Sequence, residues 1–253
     1  MIHTRRELLA LAGAAILPTG ELRTAKAPPA ANRIRAVALD AFTVFDPRSV
    51  AIAVENGFPG KGGELSATWR SRQFEYCWLR TVSRTYVDFW QVTEDALVFA
   101  FKTAKIDLEP EVRAKLMQAY LQLQPWPDSL AALQAMREAG IRLAFLSNFT
   151  PRMLAANTGN AGASGLFEHF LSTDAVKAFK PDPLAYRMAE TAFNLPRETI
   201  AFAAFAGWDA AGSKAFGLNT FWVNRLQAPQ EELGVTPDAA GSTLTELARY
   251  VTS

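Results

Sequence analysis

The chain has 253 residues, 49% hydrophobic and 20% charged, the balance of a folded globule with a sizeable core rather than of a disordered chain. Its 26 lysines and arginines against 25 aspartates and glutamates leave a net charge of +1, which gives no electrostatic case for nucleic acid. One cysteine (Cys77) and two histidines (His3 and His169) exclude an intrachain disulfide, a cysteine-rich zinc site and a multi-histidine metal centre, so catalysis would fall to Asp, Glu, Lys, Arg and Ser.

The chain opens with Thr4-Arg5-Arg6-Glu7-Leu8-Leu9, and an apolar run over 8–17 is closed by Pro18. Paired arginines before a short hydrophobic stretch read as a twin-arginine export signal over 1–27, with Ala25-Lys26-Ala27 as its cleavage region. The alternative is an amphipathic first helix. The run is too short to cross a bilayer, which takes roughly 20 residues. The expected location is the periplasm, or the cytoplasm if the signal does not operate.

A short apolar run over 35–39 reads as a buried strand and ends at Asp40. Residues 49–125 break the strand rhythm. They are helical in pattern and rich in aromatics (Trp69, Phe74, Trp78, Phe89, Trp90), and Pro125-Trp126-Pro127 marks the return. Asp128 is placed to cap a helix over 128–139 that stops at Gly140. A second strand over 141–146 ends at Ser147-Asn148, and a weaker third spans 167–172. Lys180-Pro181-Asp182 then leads into a helix over 183–193. A fourth strand over 200–206 is followed by Trp208-Asp209 and a helix over 209–216, and a fifth strand spans 220–223.

Strands alternating with helices predict an α/β fold, a Rossmann-like parallel sheet covered on both faces. The core is expected over 33–48 and 126–253, and the helical stretch 49–125 as an inserted cap subdomain. Ligands in such sheets bind beyond the carboxyl ends of the strands. There the reading brings together the Asp40 carboxylate, the Ser147 hydroxyl, the Lys180 ammonium and the Asp209 carboxylate. Each residue also has a plainer reading: Lys180 as a surface lysine, Asp209 as a helix cap, Phe42, Phe89 and Trp208 as core, and His169 as a strand-edge residue. The glycines around Lys61 and those at 159, 162 and 165 match neither phosphate-loop nor dinucleotide spacing.

The order of these signals resembles the haloacid dehalogenase superfamily. Asp40-Ala41-Phe42-Thr43-Val44-Phe45-Asp46 is similar to its first motif and Leu146-Ser147-Asn148 to its second. Phe179-Lys180-Pro181-Asp182 is similar to the third, and Trp208-Asp209 with Gly212 to the fourth. Trp69-Arg70 and Glu75-Tyr76-Cys77-Trp78-Leu79-Arg80 in the insert resemble, more narrowly, the type II 2-haloacid dehalogenases, as do Tyr86-Val87-Asp88-Phe89 and Thr93-Glu94-Asp95-Ala96-Leu97. The likeness runs from about residue 33 to the C-terminus.

That resemblance implies hydrolysis of short (S)-2-haloalkanoic acids to 2-hydroxy acids through an ester on Asp40, the nucleophile. Arg70 would take the halide. Lys180 would hold a positive charge beside Asp40, and Asp209 would activate the hydrolytic water and hold Lys180. Ser147, Asn148 and Thr43 would bind substrate, as would Tyr186 near the lysine. Phe42, Phe89 and Trp208 would wall the alkyl chain. The implied partners are the haloacid, halide ion and water, with no metal or other cofactor and no stable membrane association. A homodimer through the aromatic-rich insert is compatible with the pattern.

Position 42 separates two chemistries. Phosphatases of the superfamily resemble Asp-x-Asp, and their second carboxylate protonates the leaving alcohol. Phe42 can neither give a proton nor hold a metal, and a halide needs no proton. Two departures stand out. The first motif runs from Phe42 straight into Thr43 without the usual glycine, and Ala204 and Ala206 stand where the fourth motif usually resembles Ser and Asn. They motivate the alternatives: a phosphatase of the superfamily, or a weakly active or non-catalytic relative that binds a small carboxylate.

Overall fold

A computed structural model describes residues 34–253; the export signal expected over 1–27 lies outside them. In chain order, β1 (Ala36–Leu39) leads into a one-turn helix, α1 (Ala41–Val44), and a short strand, β2 (Phe45–Asp46). Four helices follow: α2 (Arg48–Gly57), α3 (Gly62–Val82), α4 (Phe89–Ala104) and α5 (Pro110–Ala119). Then come β3 (Gln124–Pro125), α6 (Ser129–Glu138), β4 (Arg142–Ser147), α7 (Pro151–Asn160) and β5 (His169–Ser172). The chain ends with α8 (Pro183–Phe193), β6 (Ile200–Ala204), α9 (Gly207–Phe216), β7 (Asn219–Val223), β8 (Ala239–Gly241) and α10 (Leu244–Thr252).

Six strands form one parallel sheet in the order β5-β4-β1-β6-β7-β8. The chain builds outward from β1 to β4 and β5 on one side, then returns to β6, β7 and β8 on the other. The sheet therefore has its topological switch at β1, where parallel sheets leave a crevice. Side chains alternate across the pleat. Val37, Leu39, Phe145 and Ala203 join the apolar cluster that continues into the helical insert, whereas Ala36, Ala38, Leu146 and Phe202 pack with Tyr186, Phe193 and Ala210 on the opposite face.

The insert is α2 to α5. Its entry and exit are tied together, because β2 pairs antiparallel with β3 through Phe45↔Pro125 and Asp46↔Gln124. Inside it, the Trp69 indole donates to the Thr93 carbonyl at 2.8 Å and the Gln73 amide to the Thr93 hydroxyl at 2.7 Å. These buried bonds fix the face of α3 that carries Arg70.

Two sequence expectations shift. The fourth strand was expected to reach 206, but its ladder stops at Ala204, opposite Trp222. The helix after it begins at Gly207 rather than at Asp209. The Asp209 and Ala210 N–H groups both donate to the Ala206 carbonyl, so Asp209 already lies in the first turn and is not the cap. The elements α7, β8 and α10 were not read from the sequence; β8 is Ala-Ala-Gly, which carries no hydrophobic pattern.

Candidate active site

Asp40 is placed by β1. Its N–H donates to the Ala203 carbonyl at 3.0 Å, which extends the β1–β6 ladder by one step and delivers the carboxylate at the sheet's edge. There it caps α1, with Oδ2 accepting the Phe42 N–H at 3.0 Å. The other oxygen, Oδ1, accepts from Lys180 Nζ at 2.7 Å. Lys180 is 1% exposed and also donates to Asp209 Oδ2 at 2.5 Å, so its ammonium stands between two carboxylates. The Asn148 side chain holds the lysine's own segment, its Oδ1 accepting the Lys180 backbone N–H at 3.0 Å. Tyr186 is fully buried and donates its phenol proton to Asp209 Oδ1 at 2.7 Å.

Burial and neighbouring charge compete in this group. Burial pushes the Asp209 carboxyl up to about 6; Lys180 pulls the other way and the neighbouring charge of Asp40 adds to the rise. Burial also works against the Lys180 ammonium, but the charges of Asp209 and Asp40 outweigh it and hold the lysine above its ordinary value. Burial first, and then Asp209, push the Tyr186 phenol well up, consistent with its role as a donor.

The opposite wall is apolar, with Phe74 and Phe89 from the insert and Phe42, Phe149, Phe205 and Trp208 from the core, and Arg70 packs against its rings. The Arg70 guanidinium lies 5.7 Å from the Phe42 ring centre, 5.4 Å from Phe74 and 5.7 Å from Phe205. Burial lowers its pKa from the ordinary arginine value. Among the described residues, no carboxylate lies within salt-bridge distance of it. Ring faces carry partial negative charge, so they hold a cation without neutralising it. Trp208 packs against Phe74 and Trp78, with ring centres 5.4 and 5.5 Å apart. Phe89 sits 5.7 Å from Phe149.

Between the two walls is a narrow crevice. Asp40, Phe42, Phe89, Ser147, Asn148, Lys180, Trp208 and Asp209 line it, all of them singled out from the sequence. Ser147 Oγ accepts the Phe149 N–H at 3.2 Å, which leaves its own proton free for a ligand. Three residues expected in the site are not on the crevice wall: Thr43, Tyr186 and Arg70, the last of which borders a neighbouring cavity with Ser66, Trp69 and Tyr120. The Thr43 hydroxyl turns back to the Asp40 carbonyl at 2.7 Å, and Tyr186 lies behind Asp209. Both are fully buried and support the charged residues from behind.

Phe74, Phe149, Phe205 and Ala206 also line the crevice. Sequence reasoning did not select the three phenylalanines. Phe74 could have been found, since it lies four residues after Arg70 and therefore on the same helical face. Phe149 and Phe205 sit just past strand ends and carry no comparable signal. Gly212 has a steric reason: a Cβ there would come within 2.6 Å of Pro181 Cβ and 2.7 Å of the Tyr186 hydroxyl. Its bare backbone lets α9 approach the lysine loop.

A buried aspartate at the end of the first parallel strand, bound by a lysine and approached by a helical insert, is the candidate active site of this α/β fold. The chain belongs to the haloacid dehalogenase-like hydrolases, whose family model matches residues 21–217. Haloacetate dehalogenase H-2 of Moraxella sp. is 41% identical over 208 residues, 82% of this chain and 93% of that one. The (S)-2-haloacid dehalogenase of Pseudomonas sp. strain YL is 42% identical over 206 residues, 81% of this chain and 89% of that one. Among solved structures, the L-2-haloacid dehalogenase of Xanthobacter autotrophicus with chloropropionic acid covalently bound superposes with a TM-score of 0.80. It is 34% identical, over 86% of this chain and 98% of that one.

Proposed function

We propose that this chain hydrolyses short (S)-2-haloalkanoic acids to 2-hydroxy acids through an ester on Asp40. The observation that carries this reading is a lysine-held carboxylate on a narrow crevice whose Phe42, Phe74 and Phe205 rings carry, packed against them, an arginine with no carboxylate partner among the described residues. The names of the relatives, which act on haloacetate and (S)-2-haloacids, support it.

An oxygen of Asp40 attacks C2 from the side opposite the halogen, inverting that carbon. Removing water from a carboxylate raises its reactivity. Charge develops on the departing halide, where Arg70, held on ring faces, stabilises it more than it stabilises the bound substrate. Ser147 donates its free proton to the substrate carboxylate, and the phenylalanine walls take the alkyl group. Asp209 then accepts a proton from the water that attacks the ester carbonyl; the acyl C–O bond breaks, the departing 2-oxygen takes that proton back to give the hydroxy acid, and the restored Asp40 carboxylate again faces the charged Lys180. The haloacid bond is cleaved without a proton to the leaving group, which suits Phe42.

Release of chloride from (S)-2-chloropropionate, with (R)-lactate as product and no release from the (R) acid, is the expected result. No halide from any 2-haloacid, with protein shown to be folded, would leave the non-catalytic carboxylate binder that Ala204 and Ala206 suggest. Magnesium-dependent hydrolysis of a phenyl phosphate would instead favour a phosphatase.

Export through the twin-arginine route remains our reading of Arg5-Arg6 and the apolar run behind them; periplasmic recovery that is lost when both arginines become lysines tests it. Association as a homodimer through the insert would cover Leu79 and Val82, which are 62% and 85% exposed at the end of α3. Sedimentation of the purified chain tests this.

A further inference from the structure

The turn that carries Asp40 is held by side chains from far along the chain. A one-turn helix cannot satisfy its own carbonyls, and α1 is buried throughout. Only the Ala41 carbonyl finds a local partner, the Phe45 N–H. The Phe42 carbonyl accepts the Trp126 indole N–H at 3.0 Å. The Thr43 carbonyl accepts Arg225 Nε at 3.1 Å and Nη2 at 2.8 Å. The Val44 carbonyl accepts the Ser129 hydroxyl and the Trp126 N–H, each at 2.9 Å.

Arg225 is the centre of this arrangement. Its side chain is 4% exposed and lies on the Trp126 ring, 4.8 Å from the ring centre. Its far edge pairs with Asp128 at 2.7 and 3.3 Å. Asp128 in turn accepts the Leu244 N–H at 2.7 Å, which ties in the start of α10. The path back to the nucleophile is short. Thr43 donates to the Asp40 carbonyl through both its N–H, at 3.0 Å, and its hydroxyl, at 2.7 Å, and the Phe42 N–H fixes Asp40 Oδ2. The first motif lacks a glycine, so nothing in the turn itself offers slack.

We propose that Arg225, braced by Asp128, is a positioning residue for the nucleophile: by holding the Thr43 carbonyl it sets the direction of the Asp40 carboxylate. It touches neither substrate nor reacting atoms. Its effect follows from geometry, since a misplacement of about 1 Å can cost on the order of 10²-fold in rate. The inference rests on Asp40 being the nucleophile, and the test separates the two claims.

R225M and R225K are compared with the unaltered full-length chain by residue-resolved amide exchange and by single-turnover halide release from (S)-2-chloropropionate. In R225M the Phe42 and Thr43 amides should exchange at least about tenfold faster while the β4 and β6 amides keep their protection. Halide release should slow by roughly 10- to 100-fold with KM changed less than about threefold, and R225K should recover part of the rate. Unchanged exchange at Phe42 and Thr43 would overturn the proposal, as would a loss of protection spread evenly over the sheet or a change confined to KM. If the unaltered chain releases no halide, the proposed function fails, while the exchange data still decide whether Arg225 holds the turn.

Discussion

The two walls of the crevice hold charge in opposite ways. On the sheet side, Asp40, Lys180, Asp209 and Tyr186 form a chain of hydrogen bonds between 2.5 and 2.7 Å in which every charge has a partner. Behind the ring-lined side, Arg70 packs on Phe42, Phe74 and Phe205 and meets no carboxylate among the described residues. A preorganised network needs little reorganisation as the reaction proceeds, which suits a nucleophile and its hydrolytic base in the proposed mechanism. A cation left without a carboxylate has its attraction in reserve for an anion that forms only as the bond breaks. The division also follows the chain: the core supplies the fixed half, from the end of β1, the loop before α8, α8 itself and the first turn of α9, and a face of α3 in the insert supplies the half that waits.

The strongest way to break this picture is to remove the nucleophile. D40N should reduce halide release by at least about 10⁴-fold, measured with a chloride electrode, because the amide cannot form the ester. Altering the waiting half should cost less. R70K keeps the charge but not the planar contact with three rings, and kcat should fall by about 10²- to 10³-fold while the ester, once formed, hydrolyses at the normal rate. Rapid-quench measurement of the two half-reactions would show this split.

Asp209 sharpens the contrast from the fixed side. With burial raising its pKa to about 6, it must lose its proton before it can accept one from water. Ester hydrolysis should therefore be fast above that pH and fall as pH drops through about 6. D209N should remove this limb and trap the ester, visible as a mass increase on the Asp40 peptide. The smallest effect is expected at the edge of the fixed wall. Ala206 is the N-cap of α9 and has no side-chain oxygen to accept from the first turn. A206N should add about 1 kcal/mol to unfolding stability, read by denaturant titration.

Much of the fixed half could be read from the sequence. Asp40, Ser147 and Asp209 each follow an apolar run, and a parallel sheet delivers all such strand ends to one edge. Lys180 follows a loop rather than a strand, and what announced it was the motif Lys-Pro-Asp. Arg70 was legible only through the insert motifs, since a helix arginine carries no sign of which way it faces. Thr43 and Tyr186 were placed one layer too close to the substrate, because a motif gives neighbourhood but not side-chain direction. The Arg225 contacts were invisible: a residue 182 positions from its partner has no local pattern to betray it. The start of α9 was missed for a related reason, as an Asp beside a strand end looks like a cap until its side chain is seen bound to lysine.

The central claim is that Asp40 becomes transiently esterified, and isotope placement tests it most directly. One turnover of (S)-2-chloropropionate, with enzyme in excess in water enriched in oxygen-18, should leave the heavy atom in the Asp40 peptide and an unlabelled lactate, since water attacks the ester at the aspartyl carbonyl. Label found in the lactate and absent from the peptide would mean that water displaced the halide itself, and would contradict the account.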